Sequence, residues 1–265
     1  MNRFCWQALF LFPLFAALVG ANAGVVYDNG SPDRNNGFEI THWIEADVFS
    51  VTAAARIEGA KFWTFEIDGN FEGTLFWQIY SLGNGIDPGT VLFSGTTSAV
   101  SHVATGLIAF GFKEYVATFS IDPVFLPAGS YWLSIHNGPS QNSLTQNVFW
   151  QTTGQQGSTP SRSDIFPYLG AWESNGTPAE LAFLVTGTPA PTITSFARPS
   201  SPQIRFTTVS GGNYRVEFRN SLDAGMWAVV PGAENIPGTG GTVQITDSDP
   251  NVGGHYRRFY RVILL

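Results

Sequence analysis

The sequence predicts an all-β protein: a jelly-roll-like β-sandwich followed by a small Ig-like or fibronectin III-like β-sandwich. Three observations carry this. Apolar and polar residues alternate with period two in many short runs. Gly, Pro, Asn and Asp separate the runs, as in "GNGIDPG" (83–89) and "PAG" (127–129). No segment sustains a 3.6-residue apolar period over the length of a normal helix.

The N-terminus stands apart from this pattern. Asn2-Arg3 is a short basic start, Leu9 to Val19 is almost wholly apolar, and Ala21-Asn22-Ala23 is an A-x-A cleavage site. These features predict a secretory signal peptide over 1–23, with Gly24 as the first mature residue. The apolar run is too short for a membrane span, and no comparable run follows, so no transmembrane segment is expected in the mature chain. The only cysteine, Cys5, lies in the leader, so no disulfide or thiolate chemistry is expected after cleavage.

The strand series begins in earnest at "KFWTFEID" (61–68), which places Trp63, Phe65 and Ile67 on one face. In "TLFWQIYSL" (74–82), Leu75, Trp77 and Ile79 face one way and Phe76, Gln78 and Tyr80 the other. "TVLFSG", "YVATFSID", "SYWLSIHN", "NVFWQTT" and "ELAFLVTG" continue the series. The stretch 151–178, rich in Gly, Ser, Thr and Gln, is expected as a loop excursion from the first domain, which spans 24–188. Four prolines in 186–202 predict a Pro-rich linker over 189–202. The second domain, 203–265, has an apolar ladder of Ile204/Phe206, Tyr214/Val216/Phe218 and Val243/Ile245. Its last strand sets Phe259/Arg261/Ile263 against Tyr260/Val262/Leu264.

Two segments carry a family resemblance. "YDNGSPDRNNGFEITHWIEADVFSVTAAARIEGAKFWTFE", "WQIYSLGNGIDPGTVLFSG" and "LPAGSYWLSIHNG" resemble a β-sandwich domain of exported bacterial proteins. Such domains occur beside PEP-CTERM and other choice-of-anchor sorting tails, and the resemblance covers about 25–188. "FTTVSGGNYRVEFRN" through "RRFYRVILL" is similar to a C-terminal accessory module of large secreted bacterial proteins. The chain ends without a Pro-Glu-Pro motif, apolar helix and basic end, so sorting by that route is not expected. Neither resemblance implies a catalytic residue.

Composition narrows the partners. The formal charge is −7, only 12 % of residues are charged, and Phe, Trp and Tyr reach 14 %. An acidic chain without a basic stripe is a poor nucleic-acid ligand. His42, His102, His136 and His255 lack metal-site spacing, and no metal centre is expected from them. No G-x-S-x-G elbow occurs. Glu45, Asp47, Glu66, Asp68, Glu72 and Glu114 offer carboxylates for a glycosidase pair, yet each is more simply a solvent-facing or turn residue. Calcium is the ion best suited to the oxygens of "YDNGSPDRNNG" (27–37) and "DSDPN" (247–251), though Asx turns are the simpler and favoured account of those residues.

Carbohydrate is the expected ligand class. In "SYWLSIHN", Tyr131, Leu133 and Ile135 share one face, and Trp132, Ser134 and His136 the other. With Phe76 and Tyr80 these last three would form an aromatic patch with polar neighbours. Against this, Trp132 would be a core residue if the 151–178 loop covered it. The expected protein is exported to the periplasm, cell surface or medium. It is non-catalytic and accessory, binding a glycan or an extracellular protein. The alternatives are a purely structural envelope or matrix protein and, third, a polysaccharide hydrolase.

Overall fold

Strand follows strand from residue 24 onward in the computed structural model. It describes residues 23–67, 69–139, 147–155, 161–165, 171–176, 180–198, 201–249 and 257–265. The leader expected at 1–22, with Cys5, lies outside them, as do Asp68 and His255. The first unit contains β1 (Gly24–Asp28), β2 (Pro32–Glu39), β3 (Trp43–Val51), β4 (Ala55–Glu66), β5 (Leu75–Ser81), β6 (Val91–Thr97) and β7 (Val100–Ala109). It continues with β8 (Phe112–Leu126), β9 (Gly129–Asn137), β10 (Val148–Thr153), β11 (Arg162–Ile165), β12 (Glu173–Ser174) and β13 (Phe183–Pro189). The second holds β14 (Ile193–Ala197), β15 (Gln203–Thr207), β16 (Asn213–Arg219), β17 (Ala228–Val229), β18 (Ile236–Pro237), β19 (Thr242–Thr246) and β20 (Phe259–Leu264). Among the described residues no helix is long and apolar enough to cross a membrane.

The first unit is a two-sheet sandwich. β4 is the spine of a seven-stranded sheet: β8 pairs along one edge, while β13 and then β10 share the other. β7, β1 and β2 flank β8, β13 and β10. The facing sheet has six strands in the order β12-β11-β3-β9-β5-β6, and every pairing in both sheets is antiparallel. The period-two pattern decides which side chains meet between them. Leu75, Trp77 and Ile79 from β5 and Leu133 and Ile135 from β9 pack on Ala60 and Phe62 of β4, Phe119 of β8, Trp150 of β10 and Phe183 of β13.

The pairing of β4 is irregular on both edges at one point: Thr186 and Gly187 of β13 face Gly59 and Ile57, and the register with β8 shifts between the same two β4 residues. Glycine is required at both. A Cβ on Gly59 would press into the carbonyl oxygen of Phe119, and one on Gly187 into that of Arg56. Gly59→Ala should therefore cost about 1–3 kcal/mol by overpacking. Urea denaturation of the variant checks this, and an unchanged midpoint would mean the bulge can open at no cost.

The second unit pairs β14-β15-β19 in one sheet and β16 with β20, β17 and β18 in the other. Ile204, Phe206, Tyr214, Val216, Phe218, Val243, Ile245, Tyr260, Val262 and Leu264 meet between them, which is the ladder expected from alternation. The linker differs from expectation. Ile193–Ala197 is strand β14, paired with β15, rather than part of a free connection. Its prolines flank this strand at Pro191 and Pro199 and leave its β-branched interior free to pair.

Candidate functional site

The residues expected to bind are brought together, but inside the protein. Phe76 pairs with His136, Gln78 with Ser134 and Tyr80 with Trp132 across β5 and β9. All five expected residues thus share the outer face of the six-stranded sheet. That face is covered. Trp132, Ser134, His136 and Tyr80 are buried, and only Phe76 is half-buried. Trp132 packs with Ala46, Val48 and Tyr80 beneath Trp172, whose ring meets Tyr80 edge-on at 5.6 Å. The excursion that supplies Trp172 also adds β11 and β12 to the edge of the sheet. The expected exposed patch is corrected on that ground: Trp172 covers these rings, in a chain with few charges and many aromatics to bury.

Glu72 is exposed as expected, but four other candidate carboxylates differ from their expected solvent positions. Glu45, Asp47, Glu66 and Glu114 are buried. Asp47 accepts hydrogen bonds from the Leu181 and Val48 amides and lies against Glu180. Burial first, then the Glu180 charge, pushes the Asp47 carboxyl well above its ordinary range. Glu180 is raised by burial as well, and Glu45 likewise, with Asn175 opposing at 2.6 Å. The same burial, aided by these carboxylates, lifts the Tyr27 phenol to about 12. Glu66 is held by Thr64 and by His102 at 2.7 Å, whose ring is stacked between Phe71 and Tyr115. His136 contacts the Thr41 carbonyl at 2.6 Å.

No group of three or more His, Cys, Asp or Glu side chains suited to a metal occurs among the described residues. The turns considered for calcium spend carboxylate oxygens within the chain. Asp28 caps Gly30, Asp33 accepts from Asn35 and Thr152, and Asp247 accepts from Asp249, Arg258 and Tyr260.

A different surface combines one exposed ring, Phe110, with half-buried rings and with amides. β7 and β8 form a tight hairpin in which Ala109 pairs with Phe112, leaving Phe110-Gly111 as a two-residue turn. Both turn residues have positive φ, 52° and 83°, the geometry of a type I′ turn. Such turns favour Asn-Gly, whereas a left-handed residue with a Cβ costs about 1–2 kcal/mol. Phe110 accepts that strain and is 72 % exposed. Its ring stands edge-on to Phe65 at 6.3 Å, and Phe112 stands edge-on to Phe149 at 5.3 Å. Phe65 and Phe149 are cross-strand partners. These four rings line a groove of about 230 Å³ with Asn35, Asn36 and Gly37 of β2. A side chain at 37 would crowd Phe149, so the glycine keeps the groove open.

The groove is backed by a fixed ion pair. Glu114 accepts from Arg34 at 2.9 Å, from Thr105 at 2.7 Å and from Gln151 at 3.3 Å. Burial alone would raise its carboxyl, but these hydrogen bonds outweigh it and hold it below the ordinary range. The left-handed non-glycine residues among those described are Arg34, Phe110 and Asn147. Phe110 lines the groove, Arg34 precedes Asn35, and Asn147 lies two residues before Phe149. Backbone strain of this kind concentrates at ligand sites. The signal was present in the sequence as "AFGF" (109–112), an apolar residue where a hairpin asks for asparagine. No family model matches the chain, and no curated protein matches its sequence.

Proposed function

We propose that this is an exported, non-catalytic accessory protein whose first sandwich binds carbohydrate in the Phe110 groove. The observation that carries the reading is Phe110 itself, exposed and held in a strained turn beside two amide side chains. Exposed ring faces accept the C–H faces of a pyranose, and the amides of Asn35 and Asn36 suit its hydroxyls. Burial of Glu45, Asp47, Glu66 and Glu114 supports a non-catalytic role, because a hydrolase needs two carboxyls that reach its substrate. The leader-like N-terminus and the resemblance to exported bacterial domains support the location. A structural envelope role is favoured by the burial of Trp132 and its neighbours, and the same experiment decides between the two.

The test is Phe110→Asn in the mature chain, read by glycan-array binding and by melting. Asparagine suits the turn and relieves about 1 kcal/mol of strain, so the melting temperature should rise while glycan binding is lost. A mature chain that binds no glycan, or a variant that binds as well as the parent, overturns the groove and leaves the structural role.

A further inference from the structure

We propose that the second sandwich carries an anion-binding face whose ligand is an acidic polysaccharide. The chain's charge is segregated. From residue 190 onward it has seven basic residues, all arginine, and five acidic ones; residues 1–189 hold six basic and fifteen acidic ones. Both lysines, Lys61 and Lys113, lie in the first unit.

Alternation collects three of these arginines on one surface. In β16, Tyr214, Val216 and Phe218 enter the core, so Arg215, Glu217 and Arg219 point outward. In β20, Arg261 lies opposite Glu217, and Phe259 opposite Arg219. Glu217 is the only carboxylate that these two strands contribute, and it is shared, at 2.8 Å from Arg215 and 2.6 Å from Arg261. One carboxylate cannot balance three guanidinium groups. Of the other acids, Asp223 lies in the loop after β16, Glu234 precedes β18 and accepts from the Gly232 amide, and Asp247 and Asp249 are taken by Arg258.

The cations are also ordered. Arg219 and Arg261 both stack on Trp227, at 4.8 Å and 4.3 Å from its ring centre. Arg219 is further fixed by donating to the Leu222 carbonyl at 2.6 Å. Arg261 donates from Nε and Nη2 to Glu217, and the N–H groups that these two arginines have left are fixed by the stacking, so they meet a carboxylate or sulfate at little entropic cost. The half-buried Trp227, beside half-buried Phe259, offers an apolar surface for the sugar ring between charges. A uronate or sulfated polymer supplies both features in one chain, and the surplus of guanidinium on this face is complementary to it.

The mature protein should be titrated with polygalacturonate and heparin, with dextran and double-stranded DNA as controls. Acidic polysaccharide should bind at low salt and weaken roughly tenfold or more between 50 and 200 mM salt, as expected when about three charges are neutralised. Dextran should not bind at this face. The double variant Arg219→Gln/Arg261→Gln should lose about tenfold or more in affinity with an unchanged melting temperature. If that variant does not fold, Arg219→Lys/Arg261→Lys replaces it and should bind at an intermediate level, because the charge stays and the fork is lost. Phe110→Asn should leave this binding intact, which separates the face from the groove of the first sandwich. The proposal is overturned if neither acidic polysaccharide binds at low salt, or if the arginine variants bind as the parent does. It is overturned equally if DNA competes as well as the polysaccharides, or if the protein instead self-associates at low salt through these arginines.

Discussion

Trp132→Ala should destabilise the protein by about 3–5 kcal/mol, the cost of emptying an aromatic core position. The indole is fully buried, and its N–H donates to the Leu82 carbonyl at 3.3 Å. Its removal takes the floor from under Trp172 and leaves that carbonyl without its donor. The loss should be read from urea denaturation, with the slope unchanged if only the folded state suffers. A loss under about 0.5 kcal/mol, the level of an ordinary surface substitution, would mean that Trp172 does not cover the face in solution. The contrast with Phe110 is instructive. Two aromatic side chains of the same sandwich should move stability in opposite directions when replaced.

Stability should fall as pH rises from about 4 towards neutrality, with the Asp47–Glu180 pair as a main cause. In the folded chain both carboxyls are raised, burial being the largest cause, and Glu45 is raised with them. A raised acid holds its proton longer when folded than when unfolded. Its contribution is fully present below the unfolded value and is lost as pH rises through the folded one. Each proton so held is worth about 1.4 kcal/mol per pH unit across that window. Glu114, held low by Arg34, works in the other sense, and its contribution fades only as pH falls through its lowered value. Glu180→Gln keeps the shape and donates an N–H towards Asp47, so the pair no longer needs a shared proton. The variant's unfolding free energy should change less with pH, by up to about 1.4 kcal/mol per unit, and its melting temperature should exceed the parent's at pH 8. Parallel curves for parent and variant would mean that the two groups titrate alone.

Alternation made the inner faces legible, because a strand's period is fixed by the backbone. Leu75, Trp77 and Ile79, Leu133 and Ile135, and the ladder of the second unit all enter the cores that their spacing predicts. The same rule grouped Trp132 with His136 and Phe76 with Tyr80, and the pairing of β5 with β9 puts the two groups on a common face. What covers a face is not periodic. Trp172 comes from a segment without alternation, and nothing local to "SYWLSIHN" announces it. Asp47 and Glu180 are 133 positions apart in the sequence, so their pairing belongs to the tertiary structure alone. The groove was hidden for another reason. β7 has few large apolar residues, and the Phe-Gly turn that ends it is a poor match to a hairpin signal. That mismatch is itself the local trace of the site.

The order of pairing has a consequence for how the chain reaches this state. β1 is fastened by β13, so the first strand of the sandwich finds its neighbour more than 150 residues later. β4, the spine, likewise waits for β10 and β13 along one whole edge. Closing such distant contacts has to precede most of the stabilisation, and topologies of this kind fold in milliseconds to seconds rather than microseconds. A nascent polypeptide that has emerged only as far as β9 has no partner for its first strand and no complete sheet to trap it. It can stay threadable until β13 has been made, a delay that would serve the export proposed above.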